Sequence, residues 1–213
     1  MPDLSKMQEY CRDRLDRKSA GRDAALSGSR TTIRFCANAI RAVHRSEWAE
    51  AKKLMKEAEK TLKAAQKALE PFPEIYYVGF LMDAQKEYVE ARATYAIIKG
   101  EQIPGPEELG IGEAPYLNGL GETVGELRRF ILDLLRHGNV ERCEMLLDAM
   151  DDIYYVLVSM DYPDAITGGL RRTTDVARSL IERTRGEFSI ALVQENLEAA
   201  LKEHAKRVEN SSG

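Results

Sequence analysis

The sequence is poor in the residues that mark secreted, zinc-binding and membrane-spanning proteins. Three cysteines occur in 213 residues, far apart and in no C-x-x-C pair, which argues against a disulfide framework and a zinc site. No apolar run of about 18 residues is present to cross a bilayer, and the first residues, MPDLSKMQEY, lack the apolar core of a signal peptide. We therefore expect a single cytoplasmic domain over residues 1–213 that makes no membrane contact.

Enzyme motifs with a recognisable spacing are also absent. The sequence contains no P-loop, no G-x-S-x-G and no Cys/His nucleophile arrangement. None of its three histidines follows a glutamate by three residues, so the Glu-x-x-His ligands of ferritin-like di-iron bundles are missing. Any catalytic chemistry must come from other side chains.

Helical periodicity runs along almost the whole chain, and the alternating apolar runs typical of strands are missing. Pro71 and Pro73 cannot continue a helix, and Gly100 and Gly138 suit the left-handed residue that ends one. These signals predict an all-α, seven-helix bundle. The predicted helices span 4–45 (with a break near Gly21 or Ser27-Gly28), 47–69, 74–99, 114–137, 140–160, 164–185 and 187–208, and a long non-helical connection spans 100–113.

The first predicted helix carries a local excess of positive charge within an acidic chain. The formal net charge is −4, yet nine basic residues and only three acids lie between Cys11 and Ser46. Four arginines of this segment share one face of the helix, and no acid lies between Ala24 and Ser46 to neutralise them. The pattern predicts a phosphate-binding surface, with a solvated helix face as the alternative. This arginine track consists of Arg30, Arg34, Arg41 and Arg45.

Acidic residues repeat at helical spacing on the third predicted helix. Asp83, Glu87 and Glu90 lie at i, i+4 and i+7, on one flank of its apolar stripe. Carboxylates placed in this way repel one another, and the repulsion rises if the flank is buried, unless a cation or a raised pKa compensates. The group therefore indicates either a cation site or an ordinary solvated flank.

A second acidic pair lies on the next predicted helix, where Glu122 and Glu126 follow Gly121 and Gly125. Each interior glycine costs about 1 kcal/mol relative to alanine, so we expect close approach by another helix or a ligand. If the two helices pack together, four carboxylates could converge into an all-oxygen site for Mg²⁺, or for Mn²⁺. The predicted ligands are Glu87, Glu90, Glu122 and Glu126.

Four segments of the chain resemble the translin superfamily, most closely its nuclease-bearing branch, which includes translin-associated factor X and archaeal proteins like it. The segments are FPEIYYVGF at 72–80, EYVEA at 87–91, YLNGLGETVGELRR at 116–129 and FSIALVQENLEAAL at 188–201. They occur in the family's order, and the similarity spans Arg22 to Leu201. The resemblance implies the family's seven-helix fold, and Arg22 matches a nucleic-acid-binding arginine of its first helix.

In the nuclease-bearing branch the matching acidic residues bind Mg²⁺ and cleave single-stranded RNA, so the resemblance implies these roles for the four glutamates. Glu122 stands where the family usually has aspartate, which keeps an oxygen ligand and lengthens its reach by one methylene. Phe80, Leu81 and Met82 stand where translin has histidines, so those nucleic-acid contacts do not carry over. The family's hollow octamers also imply a homo-oligomer, with nucleic acid inside and the arginine track on the inner wall.

Three functions remain open at this point. The resemblance favours a Mg²⁺-dependent endoribonuclease acting on single-stranded RNA, in which Arg22, Arg30 and Arg34 position the backbone. The second is a translin-like protein that binds single-stranded DNA or RNA without cleavage. The third is a helical scaffold without a nucleic-acid ligand, which predicts no binding even at about 50 mM salt.

Overall fold

The computed structural model describes residues 4–77 and 79–211, and within these ranges it contains nine helices and no strand. The all-α prediction is confirmed. No helix in these ranges is both long and apolar enough to cross a bilayer. The helices are α1 Leu4–His44, α2 Trp48–Leu69, α3 Pro73–Tyr76, α4 Gly79–Lys99, α5 Pro106–Leu109, α6 Glu113–Arg136, α7 Glu141–Val158, α8 Asp164–Thr167 and α9 Leu170–Ser211.

The helices form two compact units, one that ends at Gly119 and one that begins at Leu120. The first unit is built on α1, α2 and α4, which pack on one another. A tight turn at Ser46, which has a φ of 57°, reverses the chain after α1, so α1 and α2 are antiparallel. The single domain expected over residues 1–213 stays a prediction.

α1 continues through both positions where a break was predicted. A Cβ atom at Gly21 would lie 2.9 Å from the carbonyl oxygen of Ala68, and one at Gly28 would lie 3.1 Å from the Cβ of Ala65. The missing side chains let α2 pack closely, and this contact offsets the roughly 1 kcal/mol that an interior glycine costs. The predicted break was wrong because these glycines mark a contact between helices and not a helix end.

The third predicted helix, 74–99, consists of two helices in the structure. Pro73 occupies the first position of the four-residue α3, and α4 begins at Gly79. Val78, between them, lies outside the described residues. α4 ends as predicted before Gly100, which has a left-handed φ of 73°. The connection 100–113 contains only the four-residue α5 and the first residue of α6 as helix.

The second unit contains most of α6 together with α7, α8 and α9, and α7 packs against α9. The predicted helices 164–185 and 187–208 are replaced by the four-residue α8 and the 42-residue α9. α9 continues through Gly186 because glycine, unlike proline, keeps its backbone N–H and blocks no preceding carbonyl. The prediction of seven helices was therefore wrong, since the described residues form six long helices and three short ones.

Candidate functional site

Glu87 and Glu90 lie one turn apart on α4, and both side chains are half-buried. A carboxylate oxygen of Glu87 lies within 4.8 Å of one of Glu90. Asp83, one turn earlier on the same helix, is exposed. The structure therefore brings this predicted glutamate pair together and places Asp83 in solvent.

The environment of Cys36 of α1 shows on which side of α4 this glutamate pair lies. Its thiol is fully buried, and its pKa is raised first by burial and then by the charges of Glu87 and Glu90. The two carboxylates thus lie on the side of α4 that faces α1, near the buried Cys36. Carboxylates so close together favour the binding of a cation.

Glu122 and Glu126 lie one turn apart on α6, and both side chains are half-buried. They follow Gly119 at positions i+3 and i+7, so all three residues share one side of the helix. A Cβ at Gly119 would lie 2.6 Å from the carbonyl oxygen of Lys86 and 2.7 Å from the Cβ of Val89. The first turns of α6 therefore pack directly on the part of α4 that carries the glutamate pair. Convergence of all four carboxylates stays a prediction.

The two glycines beside these acids play different structural roles. A Cβ at Gly121 would lie 2.3 Å from the Cγ2 of Thr173, whereas one at Gly125 would meet only the Cδ1 of Leu180, at 3.9 Å. Close approach of another helix is thus found at Gly121. At Gly125 an ordinary van der Waals contact would accommodate a methyl group.

The chemistry of the donor atoms suits a hard divalent cation. Carboxylate oxygens are the protein ligands that Mg²⁺ and Mn²⁺ prefer, and Mg²⁺ usually takes one or two carboxylates and keeps its other positions for water and phosphate. The pair Glu87 and Glu90 by itself could supply two such oxygens. The half-buried glutamates therefore fit the predicted ion.

The arginine track is exposed along α1. Arg30, Arg34 and Arg41 lie on the side of the helix opposite its buried residues. The guanidinium group of Arg34 lies 5.9 Å from the ring centroid of Phe35, and Arg41 donates a hydrogen bond of 2.7 Å to the Oδ1 of Asn38. Within residues 4–77 and 79–211 no acid pairs with these three groups, so their charge is available to a ligand.

Arg45 differs from the other members of the track. α1 ends at His44, and the Nε and Nη2 of Arg45 each donate a hydrogen bond of 2.8 Å to the carboxylate of Glu47. These hydrogen bonds lower the pKa of Glu47. The predicted phosphate contact of Arg45 stays a prediction, and Glu47 competes with phosphate for the same guanidinium group.

Arg22 lies apart from the track, beside the beginning of α4. Its guanidinium carbon is 6.0 Å from the ring centroid of Phe80, and its Nη1 is 3.2 Å from the Oδ1 of Asp23. On α1 it shares the α4-facing side with Cys36. Because Phe80 precedes Glu87 by two turns of α4, Arg22 lies on the side of the unit that carries the acidic pair.

A second basic surface was missed by the sequence predictions. Five lysines of α2 recur every three or four residues, so they share one face of the helix, and all five are exposed. Glutamates interleaved along α2 hide the pattern when charge is summed over a window, although the helical spacing of the lysines could have revealed it. This lysine stripe consists of Lys52, Lys56, Lys60, Lys63 and Lys67.

Known proteins resemble the chain over nearly its full length, although no protein-family model matches it. An uncharacterized protein of Methanocaldococcus jannaschii is 36% identical over 210 residues, which cover 98% of this chain and 90% of that protein. AfC3PO in complex with duplex RNA has a TM-score of 0.82 and 35% identity, covering 88% of this chain and 97% of that one. A second AfC3PO structure gives a TM-score of 0.81 with 35% identity, over 88% and 98% of the two chains. Apo-NeC3PO has a TM-score of 0.73 and 25% identity, covering 90% of this chain and 98% of that one.

Proposed function

Because the chain belongs to the translin superfamily, as do the C3PO proteins that it resembles, we propose that it binds nucleic acid and cleaves single-stranded RNA in a Mg²⁺-dependent reaction. The observation that carries this proposal is the half-buried pair Glu87 and Glu90, whose carboxylate oxygens lie within 4.8 Å of each other. Two carboxylates so close together offer a hard cation the oxygen ligands that it prefers.

In the proposed site Glu122 and Glu126 complete the ligand set with Glu87 and Glu90. The contact of Gly119 with α4 supports this set, because it brings the first turns of α6 onto the segment of the acidic pair. Both α6 glutamates follow on that same side of the helix. Mn²⁺ accepts the same oxygen donors and is the alternative ion.

The chain's own residues have separate tasks in the proposed reaction. The chemistry that a divalent ion supplies to phosphodiester cleavage is activation of water and stabilisation of charge on the phosphate. The glutamates hold the ion, and the guanidinium groups of Arg22, Arg30 and Arg34 hold backbone phosphates and so orient the strand. Of these three arginines, Arg22 lies on the side of α1 that faces α4, the helix that carries the acidic pair.

Two features support a nucleic-acid ligand. One AfC3PO structure, at 35% identity, is a complex with duplex RNA. In this chain, three arginines of the track are exposed and have no acid partner among the described residues. Clustered unpaired cations are the feature that binds phosphates and releases their counter-ions.

A translin-like binder without cleavage is the second candidate. The arginine track favours it, because the track lies on the side of α1 opposite the buried residues, away from Cys36 and the acidic pair beside it. A strand held only by the track of one copy would not reach the acids of that copy. In a homo-oligomer, the track of one copy and the acids of another could contact the same strand.

A homo-oligomer, with the family's octamer as the expected state, is part of the proposal. Two helix segments leave apolar residues of one face more than half exposed, where another helix could pack. Association of copies would cover these residues. On α1 the exposed residues are Leu4, Met7 and Leu15, and on α9 they are Ile190, Val193, Leu197 and Leu201.

Cleavage of a labelled single-stranded RNA tests the proposal. The purified protein is assayed with Mg²⁺, with EDTA, and as the double variant Glu87→Gln, Glu90→Gln. The matched control is Glu141→Gln, Glu144→Gln, which removes an exposed acidic pair at the same spacing on α7. We expect metal-dependent cleavage that disappears in the α4 variant and persists in the control.

The other results distinguish the rival functions. Cleavage that survives EDTA, or full activity in the α4 variant, refutes the metal site. Binding without cleavage under all conditions supports the second candidate. An absence of binding at about 50 mM salt, where phosphate contacts are strong, supports the scaffold.

A further inference from the structure

The lysine stripe and the arginine track lie on opposite sides of the α1–α2 pair. Thr32 of α1 faces Thr61 of α2, with their Oγ1 atoms 2.8 Å apart, and Gly28 faces Ala65. On a helix of 3.6 residues per turn the arginine track points away from Gly28 and Thr32, and the lysine stripe points away from Thr61 and Ala65. One short segment of nucleic acid cannot contact both surfaces.

The stripe is long and largely uncompensated. From Lys52 to Lys67 it extends about 22 Å at 1.5 Å per residue. Lys63 forms an ion pair with Glu59, and the Nζ of Lys52 lies 3.9 Å from the Oε1 of Glu101. In the described part of the chain no acid pairs with the three remaining members, Lys56, Lys60 and Lys67.

We infer that the lysine stripe is a second nucleic-acid contact surface, which binds the phosphate backbone without reading bases. Lysine acts on phosphate as a flexible point charge and needs no fixed geometry. At 3.4 Å per phosphate along a helical strand, the stripe runs beside about six nucleotides. The inference rests on the proposed function, because it takes nucleic acid as the ligand, and it extends that function to RNA held away from the glutamates.

The salt dependence of RNA binding, measured in EDTA so that no cleavage occurs, tests this surface. The variant Lys56→Gln, Lys60→Gln, Lys67→Gln removes the three unpaired charges and keeps good helix formers. The control Arg136→Gln, Lys202→Gln, Lys206→Gln removes three exposed charges in the second unit. Both variants change the net charge equally, so a difference between them reports position.

For single-stranded RNA each phosphate contact contributes about 0.7 to the slope of log K against log salt. We expect the slope of the stripe variant to be shallower than wild type by about 2, and the slope of the control to be unchanged. Equal slopes in wild type and stripe variant, or equal losses in both variants, overturn the inference while leaving the proposed function intact. If the wild type binds no RNA at all, the proposed function fails and the inference fails with it.

Discussion

The contact between Gly119 and α4 makes a quantitative prediction about stability. In Gly119→Ala the new Cβ would lie 2.6 Å from the carbonyl oxygen of Lys86, 2.7 Å from the Cβ of Val89 and 3.0 Å from its Cγ1. A side-chain rotation cannot relieve an overlap with a backbone oxygen. The two helices must therefore separate locally by several tenths of an ångström.

Two opposing terms set the size of the effect. Overpacking of a close contact costs about 1–3 kcal/mol, and the better helix propensity of alanine returns about 1 kcal/mol. Because the obstacle is backbone, we place the cost in the upper part of its range. We expect Gly119→Ala to lower the free energy of unfolding by about 1–2 kcal/mol.

Urea unfolding followed by circular dichroism measures this change. With a slope of about 2 kcal/mol/M, the midpoint should fall by about 0.5–1 M. The matched control is Gly186→Ala in α9, where a new Cβ would meet no atom of the described residues within 4 Å, so its midpoint should rise by an amount equivalent to at most about 1 kcal/mol. A Gly119→Ala protein as stable as wild type would refute the reasoning from close contact.

Three further predictions concern single groups. Ellman's reagent should react rapidly with the exposed Cys11 of the native chain and with Cys36 only after unfolding, since Cys36 is buried and its raised pKa keeps the thiol protonated near neutral pH; fast modification of Cys36 would contradict its placement. An NMR titration should find the pKa of Glu47 below the ordinary value of a glutamate, because Arg45 donates hydrogen bonds to it, and nearer that ordinary value in Arg45→Ala. Because the folded pKa is the lower one, the contribution of this pair to stability is present above the unfolded pKa and is lost as the pH falls through the folded value. Arg34→Gln should make the salt slope of single-stranded RNA binding shallower by about 0.7, and an unchanged slope would remove Arg34 from the interface.

The helices were predictable because their apolar residues recur at helical spacing and because proline is tolerated in the first turn of a helix but not in its interior. Pro73 begins α3, where its missing N–H costs no intrahelical hydrogen bond. Glycine occurs in several structural situations, and the sequence does not distinguish them. Gly100 ends a helix with a positive φ, Gly28 fits the surface of a neighbouring helix, and Gly186 does neither. The helix breaks predicted near Gly28 and at Gly186 were therefore wrong.

The sequence predicted the candidate site only for residues that are neighbours along one helix. Glu87 and Glu90 were expected to share a side of a helix, and the structure places their oxygens together. Their proximity to Cys36, 51 positions before Glu87 along the chain, depends on how α1 and α4 pack, and no local pattern encodes it. The ion pair of Arg45 was missed because Glu47 lies just beyond the acid-free segment that ends at Ser46.

If the chain forms the proposed homo-oligomer, the helical order of α9 should depend on the protein concentration. Forty-two residues make a helix about 63 Å long, and between Ser189 and Val208 no residue is buried. This part is held in a helix without the burial that usually offsets the entropy of ordering. A second copy that covers its exposed apolar residues would supply that burial, so dilution should fray this end of the helix as the copies dissociate. The amount of helix in the protein would then depend on how much of the protein is present.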